Sequence, residues 1–166
     1  MKKIFYVLFI FSSFVYAQKN AEDYFQSGVI KHELKDYRGA ILDYNKAIEI
    51  NPNDADIYYN RGLSKYYLED HINAILDYNK AIENNPNFAD AYYNRGISKY
   101  YLDDNRNAIH DFTKAIEINS NLAEAYFNRG ISKINLEDDE SACSDFRKAA
   151  ELGYVEANKI IQLFCK

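Results

Sequence analysis

The chain has 166 residues with 20 basic and 25 acidic side chains, a net charge of −5, 16 tyrosines, no tryptophan and two cysteines. That length suits one domain. The acidic balance argues against a nucleic-acid binder, which needs clustered Lys and Arg, and against an anionic membrane surface.

Residues 1–17 stand apart from the rest. Lys2 and Lys3 give a positive start, Ile4 to Val15 form an apolar run of 12 residues, and Val15-Tyr16-Ala17 precedes Gln18 like a cleavage site. This is the layout of a secretory signal peptide, and the run falls short of the roughly 20 residues of a membrane helix. The other reading of the same residues is an uncleaved anchor. No cysteine follows Ala17, so a lipid anchor is not indicated. The expectation is an exported bacterial protein, periplasmic or extracellular, whose mature part 18–166 inserts in no membrane.

From Ala21 the chain falls into rows of 34 residues, 21–54, 55–88, 89–122 and 123–156. Place 8 is Gly28, Gly62, Gly96 and Gly130. Place 14 is Leu34, Leu68, Leu102 and Leu136. Places 20 and 27 are alanine in every row, and places 4 and 24 are aromatic. Rows two and three agree at 23 of 34 places, beyond chance. A fixed period of this size means stacked supersecondary units.

Each row predicts two helices, with apolar residues three and four apart in both halves. Pro52 and Pro86 end the first two rows and stop the second helix there. Gly and the two Ala allow close helix crossings. The rings at places 4 and 24 fill the gaps, and places 4, 8 and 14 form the core stripe. A last amphipathic helix, 155–166, caps the open apolar end.

Aromatic, Gly, Ala, aromatic, Ala, Pro at these intervals resembles the tetratricopeptide repeat over residues 21 to about 156. The resemblance implies an all-α, right-handed α–α solenoid of four helix pairs with the first helices on the concave face. It also implies a protein-binding scaffold and no catalysis. Ser120 departs from the expected proline. "ELGY" near Gly153 departs from the usual row ending, and the final unit also resembles Sel1-like repeats.

Helical spacing puts places 2, 5, 6, 9, 12 and 13 on one stripe. The groove candidates are Tyr59, Asn60, Leu63, Tyr66, Tyr93, Asn94, Ile97, Tyr100, Phe127 and Asn128. Tyrosine supplies contact area at low entropy cost. Asparagine offers a donor and an acceptor together, a match for any peptide unit. The amide row Asn60, Asn94 and Asn128 resembles the asparagine ladder of the O-GlcNAc transferase superhelical domain, which implies contact with an extended peptide. The alternative is that these amides bond neighbouring helices. Glu22, Asp56, Asp90 and Glu124 at place 2 would repel a terminal carboxylate and suit a basic or neutral segment.

Arg61, Arg95 and Arg129 at place 7, with lysine at place 11, predict ion pairs to the aspartates at place 23 rather than a basic patch. Ser27 replaces the arginine in row one, which leaves Asp43 without a partner. Cys143 and Cys165 are expected to form a disulfide, since an antiparallel turn near Gly153 brings them together. His32, His71 and His110 have no metal-ligand spacing. Asp103–Asp104 and Asp138–Asp139 are expected to cap helices. No metal, no cofactor and no enzyme motif is expected. The expected partner is a protein or peptide and the expected state a monomer. A glycan-binding or structural assembly module of the cell envelope is the rival reading.

Overall fold

A computed structural model describes residues 20–165; the signal-peptide expectation for 1–17 lies outside them. Among the described residues there are nine helices and no strand: α1 (Ala21–Glu33), α2 (Tyr37–Ile50), α3 (Ala55–Tyr66), α4 (His71–Asn84), α5 (Ala89–Tyr101), α6 (Asn105–Ile118), α7 (Ala123–Ile134), α8 (Asp139–Glu151) and α9 (Val155–Phe164).

Side-chain caps mark the starts of α1 and of the second helix of every unit. Asn20 and Asp23 form a reciprocal capping box at α1. Asp36, Asp70, Asp104 and Asp138 accept backbone N–H bonds at the starts of α2, α4, α6 and α8. Of the expected acidic pairs, one member caps each time. Asp139 is instead the first residue of its helix, and Asp103 belongs to the preceding turn. Just before each of these four caps stands a residue in the left-handed region: Lys35, Glu69, Asp103 and Glu137, with φ between 59° and 63°.

The turns between units also repeat. Pro52 and Pro86 lie in the first two. In the third, Asn119 Oδ1 accepts the Asn121 N–H at 3.1 Å, as Asn85 accepts Asn87 at 3.1 Å. That side-chain turn is independent of proline, so Ser120 is tolerated. After α8, Gly153 takes φ +93°, which only glycine adopts freely.

The core is a column of small and ring residues. The alanines at places 20 and 27 and the rings Tyr44, Tyr78, Phe112 and Phe146 are all 0% exposed. A Cβ on Gly28, Gly62, Gly96 or Gly130 would stand 2.5 to 2.7 Å from the ring at place 24 of its own unit. Glycine is therefore what lets each ring lie flat against the first helix.

The place-14 leucines correct the sequence expectation. Leu34, Leu68, Leu102 and Leu136 are 75%, 39%, 44% and 41% exposed. Each lies at the helix cap or one residue beyond it, where the chain is already turning, so the helical stripe no longer governs its direction.

Each helix packs chiefly on the next one in the chain. Successive first helices also touch, α1 on α3, α3 on α5 and α5 on α7, while no pair of second helices does so comparably. The first helices thus lie on the inner, tighter side of the stack.

Candidate functional site

The inner face is built from α1, α3, α5 and α7. Its place-5 rings are half-buried and lean on the core. Tyr59 lies 6.0 Å from Tyr78 and 4.7 Å from Phe88, and Phe127 lies 5.5 Å from Phe146 and 4.7 Å from Tyr154, centre to centre. Tyr93 packs on Phe112 at 5.9 Å. Burial, with the Glu124 carboxylate adding, pushes the Tyr93 phenol up to about 12. Burial and then Asp90 push Tyr59 the same way. Both phenols stay neutral and keep their protons.

The amide row is tied to these rings. Asn94 Nδ2 donates to Tyr59 Oη at 3.1 Å and to Asp90 O at 2.9 Å. Asn128 Nδ2 donates to Tyr93 Oη at 3.0 Å and to Glu124 O at 2.9 Å. Asn60 donates only to Asp56 O, at 2.8 Å, because the residue facing it from unit one is Phe25, which has no hydroxyl. The carbonyl partners fix the amide orientation, since an oxygen turned toward a carbonyl would be repelled. Both N–H groups of Asn94 and Asn128 are therefore used inside the protein. Their Oδ1 atoms accept nothing among the described residues. The expected donor–acceptor pairing with a peptide unit is thus corrected: at these two positions only an acceptor is on offer.

Leu63, Ile97, Tyr66 and Tyr100 are half-buried on the same helices. Tyr66 and Tyr100 stand against the place-13 rings Tyr67 and Tyr101 at 5.5 and 5.8 Å. Those place-13 rings reveal a ladder that sequence reasoning missed. In units one to three the first residue of the second helix meets place 13 of the next unit. Tyr37 lies on Tyr67, 5.1 Å apart and 8° from parallel. His71 lies on Tyr101, 4.8 Å apart and 3° from parallel. In the third step Asn135 Nδ2 donates to Asn105 Oδ1 at 3.1 Å. The signal was present as a 30-residue spacing, four short of the period.

Behind the inner face lie the expected ion pairs. Arg61, Arg95 and Arg129 each make two bonds of 2.6 to 2.9 Å to Asp77, Asp111 and Asp145 of the same unit. Each also donates to the preceding unit, to Asn45, Asn79 and Thr113. Lys65, Lys99 and Lys133 bind the same aspartates at 2.7 to 2.8 Å. The arginines lie over the rings of Tyr58, Tyr92 and Tyr126 at 5.2 to 5.5 Å. Asp43 is not unpartnered, contrary to expectation. Ser27 Oγ donates to it at 2.6 Å and Lys31 lies at 2.6 Å. The shorter serine keeps one bond and the lysine at place 11 supplies the charge.

Cys143 and Cys165 have their sulfurs 1.98 Å apart, at disulfide distance. Among the described residues no group of three or more His, Cys, Asp or Glu is placed to hold a metal. Among the same residues no helix is long and apolar enough to cross a membrane.

Family models agree with this geometry. A TPR repeat model matches residues 28–68, one tetratricopeptide repeat model matches 55–88 and 89–122, and another matches 123–152. The chain belongs to the tetratricopeptide repeat family. No curated protein matches it. Among solved structures this tetratricopeptide protein is similar to MamA, with 25% identity and a TM-score of 0.79, over 84% of this chain and 81% of that one. YrrB, described as a TPR protein with an unusual peptide-binding site, shares the fold at 23% identity and a TM-score of 0.75, over 84% and 74%. So does the first TPR of Spaghetti bound to an HSP90 peptide, at 24% identity and 0.70, over 71% and 94%.

Proposed function

We propose that this tetratricopeptide protein is an exported scaffold that holds an extended segment of a partner protein against its inner face. Tyr59, Asn60, Leu63, Tyr66, Tyr93, Asn94, Ile97, Tyr100, Phe127 and Asn128 make the contacts. One observation carries this reading. The Oδ1 atoms of Asn94 and Asn128 are left as acceptors by amides whose own N–H groups are fully used. Acceptors held this firmly suit the backbone N–H groups of an extended chain, whatever its side chains. The same architecture holds a peptide in the Spaghetti domain, a precedent at the level of fold.

The acidic residues at place 2 border this row, so a basic or neutral segment fits and a terminal carboxylate does not. The mature chain begins at Gln18 and acts as a monomer. Its four units run 21–54, 55–88, 89–122 and 123–156, and a Cys143–Cys165 bridge holds the cap helix 155–166 in place.

The test is capture from an envelope extract by two immobilised baits of residues 18–166. One is native and the other carries Asn60→Ala, Asn94→Ala and Asn128→Ala with unchanged melting. A protein retained by the native bait alone supports the groove. Equal recovery on both would overturn it.

A further inference from the structure

A second recess lies at the rim, where the first helices of units two and three turn into the second. Tyr66, Tyr67, Glu69, His71 and Tyr101 line a pocket of about 440 Å³. Its walls are ring faces set at steep angles. Tyr66 is 61° from His71, 58° from Tyr101 and 80° from Tyr67, with ring centres 5.4, 6.0 and 5.5 Å apart. The parallel pair His71 and Tyr101 closes one side. Burial, reinforced by the neighbouring Tyr101 hydroxyl, raises the Tyr66 phenol, so this wall stays neutral and its π face electron-rich.

Three further observations define what the recess would accept. Glu69 is exposed on the wall, held there by its left-handed backbone, and is the one carboxylate among the lining residues. His71 Nδ1 is buried out of a guest's reach, so the imidazole contributes ring surface to the recess and no hydrogen bond. The repeated cations of the two first helices, Lys65 and Lys99, are engaged 2.7 Å from Asp77 and Asp111 and do not fill the pocket.

We propose that this pocket takes a basic side chain, lysine or arginine, of the bound segment. A cation is attracted by the faces of tyrosine rings, and desolvated sites strengthen that attraction. Glu69 supplies the opposite charge. The Glu69 carboxylate accepts N–H bonds that an ammonium or guanidinium can donate and a quaternary amine cannot. An acidic side chain would meet Glu69, with Asp70 beside it in the chain and Asp103 and Asp104 at the next turn along the rim. A purely apolar one would leave Glu69 unanswered. The proposal depends on the groove reading only for the source of the side chain.

The test titrates the full chain with the methylamides of N-acetyl-arginine, N-acetyl-lysine and N-acetyl-citrulline and with tetramethylammonium, read from tyrosine ring signals by NMR. The arginine and lysine probes should give saturable shifts at Tyr66, Tyr67 and Tyr101. The neutral citrulline probe should bind at least tenfold more weakly, and tetramethylammonium several-fold more weakly than lysine. Glu69→Gln, on an exposed turn, should weaken the arginine probe at least threefold, and Tyr101→Leu should abolish binding. Citrulline binding as well as arginine, tetramethylammonium binding more tightly than lysine, an unchanged Glu69→Gln variant, or no saturable shift would each overturn the proposal. Failure here leaves the asparagine bait result standing, and equal capture by the two baits leaves probe binding standing.

Discussion

Asn94 and Tyr59 sit 35 residues apart, in adjacent units, and share a hydrogen bond of 3.1 Å. The bond joins two of the residues proposed to touch a partner, and it decides how each is presented. Tyr59 is pinned as an acceptor toward Asn94, and Asn94 has no N–H left to offer outward. The inner face is thus set before anything binds, which lowers the ordering cost of association.

Removing that link should be felt in stability. Tyr59→Phe should lower the unfolding free energy by about 0.5–1.5 kcal/mol, the usual net worth of one such bond. Tyr93→Phe should behave alike through Asn128. Denaturant melts of both variants check this; midpoints equal to that of the parent would contradict it.

The same substitution one helix away should act in the other direction. Tyr44 and Tyr78 are fully buried, and their hydroxyls have no hydrogen-bond partner among the described residues. Units three and four carry Phe112 and Phe146 at that place. Tyr78→Phe removes a desolvated, unanswered hydroxyl, whose burial costs about 1–3 kcal/mol. The variant should melt higher; a lower melting temperature would show that the hydroxyl is satisfied in solution.

Arg95 is a tie between units rather than a binding residue. Arg95→Leu strips two bonds from Asp111, which is 0% exposed, and one from Asn79 of the preceding unit. Lys99 still neutralises the carboxylate. The loss should be about 3 kcal/mol, at the low end for a broken buried pair, with partner capture unchanged at a temperature where the variant is folded. Lost capture at unchanged stability would reassign the arginine to the site.

Two groups set the acid side of the stability profile. Burial, only partly offset by Glu33, lowers the His32 pKa below its ordinary 6.5. Ser64 Oγ donates to Asn60 O, so the serine accepts from His32 Nδ1, a bond open to either protonation state, and it is burial that favours the neutral imidazole. Its contribution is complete above pH 6.5 and declines as the pH falls through the lowered folded value. Burial alone would raise the Asp43 carboxyl, but the bonds from Lys31 and Ser27 outweigh it and hold the pKa below 3.8. That contribution is complete above pH 3.8 and declines in stronger acid. Melting temperature should therefore fall in two stages on acidification, and His32→Gln should remove the first. A single decline below pH 4 in the parent would refute the histidine stage.

The cap should depend on the sulfur pair. The two cysteines are 22 residues apart. A cross-link closing a loop of that size adds about 3 kcal/mol. The unfolded, oxidised protein should show no reactive thiol, and reduction should lower its melting temperature. Two thiols titrating after unfolding would exclude the bridge.

Much of the fold was legible because its constraints are local in the repeat. Gly96 faces Phe112 sixteen residues on, within one unit, so small and ring places reveal the crossing directly. Recurrence alone misled at Leu68 and its equivalents. A repeated leucine resembles a core position, and the left-handed Glu69 after it is not a glycine that would announce the turn. The inner face was legible as a set of residues and not as a set of donors and acceptors. Which amide proton is spent depends on a tyrosine from the unit before, and Phe25 denies Asn60 the bond that Asn94 receives. The rim ladder stayed hidden because its steps join unlike places of adjacent units.

That ladder has a further consequence. A row of identical units offers a guest several equivalent registers, each one unit along from the last. Tyr37 on Tyr67, His71 on Tyr101 and Asn105 beside Asn135 break the equivalence, because the steps pass from ring–ring through ring–imidazole to amide–amide. The rim therefore tells one unit junction from the next, and the proposed basic anchor would find its ring-lined recess at the junction of units two and three.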